Sequence, residues 1–318
     1  MTHDVDGGGA RTAVLCGGVG AARLLAGLVA VVPAASVTAI VNVGDDTEMH
    51  GLHISPDLDT ITYTLGGGSD TERGWGLAGE TWAAMDQLDF YGGAAWFRLG
   101  DRDLGTHLYR TGRLKQGASL SAVTAEITQA WGIGMTLLPV SDDPVRTRLE
   151  LEGGEEVDFQ EYFVRLRHSV AVRAVHFVGA EQAKAAPGVL EALEAAETIV
   201  IAPSNPIVSI GPVLAVPGIT ELLARRRRDV VAVSPLVGGR ALKGPADRLL
   251  VELGGDASAV GVAEVLTGVA GTLVIDVIDA GLAGSVEQAG MACRVVETVM
   301  SSPAASAALA AAVLAARP

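Results

Sequence analysis

The sequence predicts an α/β fold in which helices cover both faces of a doubly wound, mostly parallel sheet. Three observations carry that prediction. Short apolar, β-branched runs recur along the chain, of the continuous kind that parallel strands show when both faces are covered. Helical patterns separate most of these runs, which is the βαβ alternation of a parallel sheet. The first run leads at once into a glycine loop and a helix, GGVGAARLLAGL.

Taken in order, the first residues, MTHDVDGGGA, are polar and glycine-rich, which predicts a flexible tail over 1–10 without a secretory leader pattern. TAVLC (12–16) reads as a strand, GGVGAAR as a loop, LLAGLVAVV as a helix and SVTAIV (36–41) as the next strand. Further strands are predicted at MTLLPV (135–140), AVRAVHFV (171–178), TIVIAP (198–203), DVVAVS (229–234) and TLVIDV (272–277). PGVLEALEAAE (187–197) and PGITELLARRRR (217–228) read as helices, and the Ala-rich end as a terminal docking helix. Two stretches break the alternation. Residues 60–131 are mostly helix and loop, and 145–170 contain RTRLELEGGEEVDF, where GG between alternating segments signals a β-hairpin. The expectation is one Rossmann-like α/β domain over 11–318, with the helical and hairpin insertions walling a cleft.

Composition sets outer limits on function. A chain of 318 residues with 40 glycines, 49% hydrophobic residues and a mean hydropathy of +0.37 buries a core, which excludes a disordered or fibrous protein. The 37 acids against 23 bases give a net charge of −14, which argues against a nucleic-acid partner. A nucleotide ligand needs only local amides, a few cations or a metal. Cys16 and Cys293 are far apart and lack metal-ligand spacing; they read as buried, reduced thiols of a cytoplasmic protein. Residues 24–43 carry no charge over a length that spans a bilayer, but Pro33 divides them into a helix and a strand, so no membrane span is expected. Arg225 to Arg228 read as a solvated helix end, with a phosphate patch as the other option.

Chemistry-bearing residues concentrate in a few segments. In GGVGAAR, Gly18 and Gly20 fit a loop that brings backbone amides to an anion, although Arg23 stands where a dinucleotide fingerprint has its third glycine. A dehydrogenase reading would rest on this loop alone. Arg23 is either a phosphate partner or an ordinary first-turn side chain. NVGDDTEMHGLHISPDLDT (42–60) holds five carboxylates and two histidines in nineteen residues, directly after a predicted buried strand. Ligand crevices in open α/β sheets lie beyond such strand ends. Asp45, Asp46, Asp57 and Asp59 are hard oxygen ligands of the type that suits Mg²⁺. A solvated turn is the competing account, and Asp57 or Asp59 alone could cap the helix that follows. His50 and His53 read as surface or supporting groups. In WFRLGDRDLGTHLYRTGRLKQG (96–117), the close-set Arg98, Asp101, Arg102, Asp103, Thr106, His107 and Arg110 form either a salt-bridged helix or a grip on phosphates, diols or a heterocycle edge. LLPVSDDPV (137–145) and IAPSNPIVSIGP (201–212) place polar groups between prolines after two strands, and both are expected to face the same crevice.

As an ordered set these motifs are more specific than any one of them. GGVGAARLLAGL, NVGDD, SPDLDT, RGWGLAGET, LGDRDLGTH, GASL, LPVSDDPV, FQEYFV, PSNPIVSIGP and VSPLVGG resemble the CofD family from about residue 12 to residue 300. Its members are the 2-phospho-L-lactate transferases and the actinobacterial phosphoenolpyruvate transferases of coenzyme F-420 biosynthesis. The resemblance implies an acceptor, the deazaflavin alcohol Fo, and a donor, a guanosine diphosphate adduct of lactate or enolpyruvate. Attack by the ribityl 5′-hydroxyl on the phosphorus that carries the acid would expel GMP, with Mg²⁺ assisting. Asp59 and Arg98 match Fo-binding positions of the family. Asp45 and Asp59, with Asp57 beside them, are the implied metal-proximal acids, and one of them is a candidate to accept the hydroxyl proton. Asp45, Asp59 and Arg98 are therefore the catalytic candidates. Gly18, Gly20, Ser204 and Asn205 fall to the donor side, and Trp75 of RGWG either stacks on the deazaflavin or packs in the core. The family also suggests a homodimer. A non-catalytic Fo-binding protein, or a member using another nucleotide-linked donor, is the alternative.

Overall fold

The computed structural model describes residues 10–94 and 96–317. Residues 1–9 of the expected tail lie outside the described residues. Strand β1 (Thr12–Cys16), helix α1 (Gly18–Val31) and strand β2 (Val37–Val41) form the opening βαβ unit. β1 and β2 are parallel, in register from Thr12↔Val37 to Cys16↔Val41. A small antiparallel hairpin follows, β3 (Thr47–Met49) and β4 (Leu52–Ile54). His50 (φ 54°) and Gly51 (φ 72°) form its turn, the pair of positive φ angles that a tight hairpin needs. The expected helical region then supplies α2 (Pro56–Leu65), α3 (Ala83–Phe90), α4 (Asp101–Lys115) and α5 (Leu120–Ala130).

β5 (Thr136–Pro139) returns to the main sheet beside β2. β6 (Arg146–Leu151) and β7 (Glu156–Asp158) are the predicted hairpin, and β8 (Val172–Val178) pairs antiparallel with β6. The strand expected at 171–178 therefore belongs to a side sheet and not to the core. Its alternating exposure shows why: one face is solvated, as in an antiparallel sheet. The chain re-enters the core with β9 (Thr198–Ile201) and β10 (Val230–Val233), makes a short hairpin of β11 (Leu236–Val237) and β12 (Arg240–Ala241), and ends the sheet with β13 (Thr272–Asp276) and β14 (Ala292–Val296). β14 was not legible in the sequence. It is an edge strand, half-exposed, with Arg294 interrupting its apolar pattern.

The main sheet runs β14-β13-β10-β9-β1-β2-β5, and every pairing in it is parallel. Numbering only these seven strands along the chain gives 3-2-1-4-5-6-7, the Rossmann order extended by one strand. β1, β9 and β10 are buried at every position, so each Val, Leu or Ile side chain there contributes roughly 1.5–3 kcal/mol of burial. The C-terminal helix (Pro303–Ala315) docks on α1, as its composition predicted. The basic run is less solvated than expected: Arg226 donates to the carbonyls of Leu193, Glu194 and Ala196, and Arg227 to that of Thr267. Cys16 is buried and Cys293 half-buried, and both are free thiols. Among the described residues no helix is long and apolar enough to cross a membrane.

The strand order reverses between β1 and β9, which places the switch point over the loops that follow these two strands. Ligands of open α/β sheets bind in the crevice outside the carboxyl ends of the strands at such a point.

Candidate active site

A cavity of about 1120 Å³ opens at this switch point. Its base is the junction of two loops. Ser204, after β9, accepts a hydrogen bond from the Gly17 amide at 3.2 Å and donates one to the Gly17 carbonyl at 2.8 Å. Gly18 takes a φ of 74°, and a Cβ on Gly20 would lie 2.5 Å from the Pro203 carbonyl oxygen. Glycine at these two positions is thus required for the turn and for the close approach of α1 to the second loop. Asn205 Oδ1 accepts from the amides of Ile207 and Val208, while its Nδ2 is buried without a partner. The four donor-side candidates of the sequence therefore sit together on the cavity lining.

The acidic floor comes from the loop after β2 and the first turn of α2. Asn42 Nδ2 donates to Asp57 Oδ2 at 2.9 Å, and Asn42 Oδ1 accepts from the Gly44 amide at 2.7 Å. The Gly18 amide also bonds to Asp57. Burial, opposed by the Asn42 and Gly18 hydrogen bonds and reinforced by the nearby Asp46 charge, pushes the Asp57 carboxyl up to about 6. Asp45 is raised well above the usual carboxylate range, first by burial and then by the charge of Asp57. Asp46 is used differently: its Oδ2 is bound by His53 Nε2 at 3.0 Å and by the Ser55 hydroxyl at 2.8 Å.

Asp59 belongs to a second cluster. Arg110 clamps both of its oxygens, with Nη1 at 3.1 Å from Oδ2 and Nη2 on Oδ1. Arg110 Nη1 also lies 3.3 Å from His107 Nδ1, which assigns the acceptor role to that nitrogen and leaves His107 Nε2 3.3 Å from Asp103 Oδ2. The Tyr63 hydroxyl donates to the other oxygen of Asp103. Burial opposes the charge of Asp103, but His107, Tyr63 and Arg110 outweigh it and hold its carboxyl below the usual value. Burial, followed by the charges of Asp59 and Asp103, raises Tyr63. Asp59 and Tyr63 are four apart on α2, and Asp103, His107 and Arg110 lie at i, i+4 and i+7 on α4, so two polar helix faces meet here. Sequence reasoning placed His107 and Arg110 in a dense segment but did not pair them with Asp59.

Cations occupy another wall. Lys243 Nζ bonds to the Gly74 carbonyl at 3.0 Å and Arg23 Nη1 to the Met300 carbonyl at 3.3 Å, so these two of the cavity-lining cations rest on carbonyls and not on carboxylates. Burial and then the neighbouring charge of Arg23 lower the Lys243 ammonium. Arg98 lines the cavity, pairs with Asp86 at 2.7 Å and lies 5.3 Å from the Trp82 ring centre. Trp75 is 47% exposed, so it is a cavity-wall side chain and not a core one. Phe163 faces the cavity too and stacks on Phe159 with ring centroids 5.6 Å apart. The LLPVSDDPV segment does not reach this site. Asp142 caps α5 through the Ser121 amide and hydroxyl, and Ser141 and Asp143 bind the backbone of Lys184.

Among the described residues no group of three or more carboxylate, imidazole or thiolate side chains is arranged to hold a metal ion. Mg²⁺ needs fewer, since it keeps waters and takes one or two carboxylates with substrate phosphates. Asp45 and Asp57 fit that demand: both acids are buried, the charge of Asp57 adds to burial in raising Asp45, and Asp45 Oδ1 has no partner. Asp59 fits it less well, because Arg110 already balances its charge.

A doubly wound sheet with a large cavity at the switch point defines the class: an α/β enzyme fold whose polar groups gather on the loops after β1, β2 and β9. Comparison with known proteins narrows the class to one family. The family model described as 2-phospho-L-lactate transferase CofD matches residues 12–293, and the chain belongs to the CofD family. A phosphoenolpyruvate transferase of Streptomyces griseus is 48% identical over 305 residues, covering 94% of this chain and 96% of that one. The Mycolicibacterium smegmatis protein of the same name is 42% identical over 316 residues, covering 94% and 96%. A crystal structure from Bacillus halodurans, a member of the UPF0052 family, shares the fold with a TM-score of 0.64 at 18% identity, covering 96% of this chain and 99% of that one.

Proposed function

We propose that this chain transfers a phosphoenolpyruvyl group from its guanosine diphosphate adduct to the 5′-hydroxyl of Fo, releasing GMP and giving dehydro-F-420-0. The observation that carries the reading is a cavity in which amides, cations, acids and aromatic rings converge at the switch point of a CofD-family fold. Enolpyruvyl is preferred to 2-phospholactyl because the relatives at 48% and 42% identity bear the phosphoenolpyruvate transferase name.

Phosphoryl transfer of this kind depends on alignment and charge neutralisation more than on covalent help. The α1 amino end with Gly18 and Gly20, the Ser204–Asn205 loop, and the cations Arg23 and Lys243 would bind the donor diphosphate. Asp59, fixed by Arg110, would accept a hydrogen bond from the acceptor hydroxyl, with Arg98 and Trp75 on the deazaflavin. The 5′-oxygen forms the new bond to phosphorus, and the bond to GMP breaks with its electron pair leaving on GMP. The hydroxyl proton passes to one of the floor carboxylates. Asp45 and Asp57 are the residues that would hold Mg²⁺, which supplies charge neutralisation for the diphosphate. A homodimer working in the cytoplasm completes the reading. The test is GMP release with Mg²⁺, Fo and each donor in turn. Turnover that requires Fo and favours the enolpyruvyl donor supports the reading, and no turnover with either donor overturns it.

A further inference from the structure

Arg73 lies in the loop between α2 and α3 and opens the RGWGLAGET motif, of which only Trp75 drew a role from the sequence. Its guanidinium sits 5.0 Å from the Trp75 ring centre and 4.9 Å from that of Trp82. The two indoles contact each other edge-on, 5.9 Å between centroids. Asp70 fixes the fork from one side, accepting from Arg73 Nη2 at 2.7 Å, and is itself held by the amides of Glu72 and Arg73. Two aromatic contacts and a carboxylate thus leave the guanidinium little freedom.

One direction is unfilled. Arg73 Nη1 is buried and has no hydrogen-bond partner, and Arg73 lines the cavity. A buried N–H without an acceptor is costly, so this one is matched to an acceptor that arrives with a ligand. The neighbourhood indicates which. The next residue, Gly74, bonds Lys243, whose charge is felt together with that of Arg23. Those two cations and the glycine loop are already assigned to the diphosphate in the function proposed above. The donor carries one further anionic group, the carboxylate of the acid being transferred, and a planar guanidinium fork matches a carboxylate.

Resting on the function proposed above, we infer that Arg73 is the specificity-determining residue for the carboxylate of the transferred acid. Its unpaired Nη1 meets that carboxylate, while Trp75, Trp82 and Asp70 hold the guanidinium in place beforehand.

The experiment compares binding of two guanosine diphosphate esters to the full chain by calorimetry. One bears a lactyl group and the other an isopropyl group, in which a methyl replaces the carboxylate. The wild type is expected to bind the lactyl ester about 30-fold more tightly. Arg73→Met should erase that preference and leave isopropyl affinity within about twofold, and Arg73→Lys should restore part of it. Equal weakening of both esters by Arg73→Met overturns the inference, since Arg73 would then serve the wall or the shared diphosphate. A preference retained in Arg73→Met, or absent from the wild type, overturns it as well. Binding needs no turnover, so GMP release without carboxylate discrimination sinks the Arg73 inference alone. Discrimination without GMP release sinks the transferase reading alone.

Discussion

Ser204 and Gly17, 187 positions apart, exchange two hydrogen bonds through one hydroxyl, at 3.2 Å from the glycine amide and 2.8 Å to its carbonyl. This contact joins the loops after β1 and β9 and so forms the base of the switch-point cavity. Ser204→Ala leaves both backbone groups of Gly17 short of a partner inside a buried junction. A loss of about 1–3 kcal/mol is expected in urea unfolding, with a weaker affinity for the donor. An unfolding midpoint equal to that of the wild type would show that the junction is held by other contacts.

The Asp59–Arg110 pair is almost completely buried, and removing one partner strands the other's charge. Arg110→Met should cost about 3–5 kcal/mol. Asp59→Asn combined with Arg110→Met should recover part of that loss, because no unpaired charge is left behind. Unfolding free energies for the two single variants and the double variant decide this; strictly additive losses would count against a coupled pair.

Asp57 provides a pH test with a defined sign. Burial pushes its carboxyl up to about 6 in the folded protein, above the ordinary 3.8 of an aspartate, so the folded state binds the proton more tightly than the unfolded chain. The resulting stability is fully present below about pH 4 and is lost as pH rises through 6, by roughly 3 kcal/mol. Asp57→Asn should therefore gain stability relative to the wild type between pH 5 and about 7. Mg²⁺ should raise the melting temperature of the wild type at pH 7, less at pH 5, and not that of Asp57→Asn. Scanning calorimetry at the two pH values, with and without Mg²⁺, reads all of these. An equal Mg²⁺ effect on both proteins would remove Asp57 from the proposed metal pair.

The sequence made the core legible because its parallel strands are apolar at all but one position at most: TAVLC, VTAIV, TIVI and VVAV lie within the predicted segments. The glycine loop and acidic stretch were legible for a related reason, since each directly follows a buried strand, where open α/β sheets carry their crevice. The polar residues after β5 show the same pattern but bind α5 and Lys184 instead. What escaped reading depended on pairing across long separations. β8 has strand character, but only its partner β6 assigns it to the side sheet. Arg294 disguised β14. The stripe of Asp103, His107 and Arg110 was visible as a helical period, yet its partners Asp59 and Tyr63 lie on another helix. Arg73 was visible only as the first residue of RGWGLAGET, because its character comes from Trp75, Trp82 and Asp70 folding around it.

The central claim is that the acidic stretch and the cation wall form one transferase site. It is tested most directly by mass analysis of the product from Fo, Mg²⁺ and the enolpyruvyl donor, for wild type and Asp59→Ala. The account predicts Fo joined to the phosphoenolpyruvyl group with one GMP released per product, and a loss of at least about 100-fold in the variant. Full-rate product formation by Asp59→Ala, or no joined product from the wild type, would contradict it.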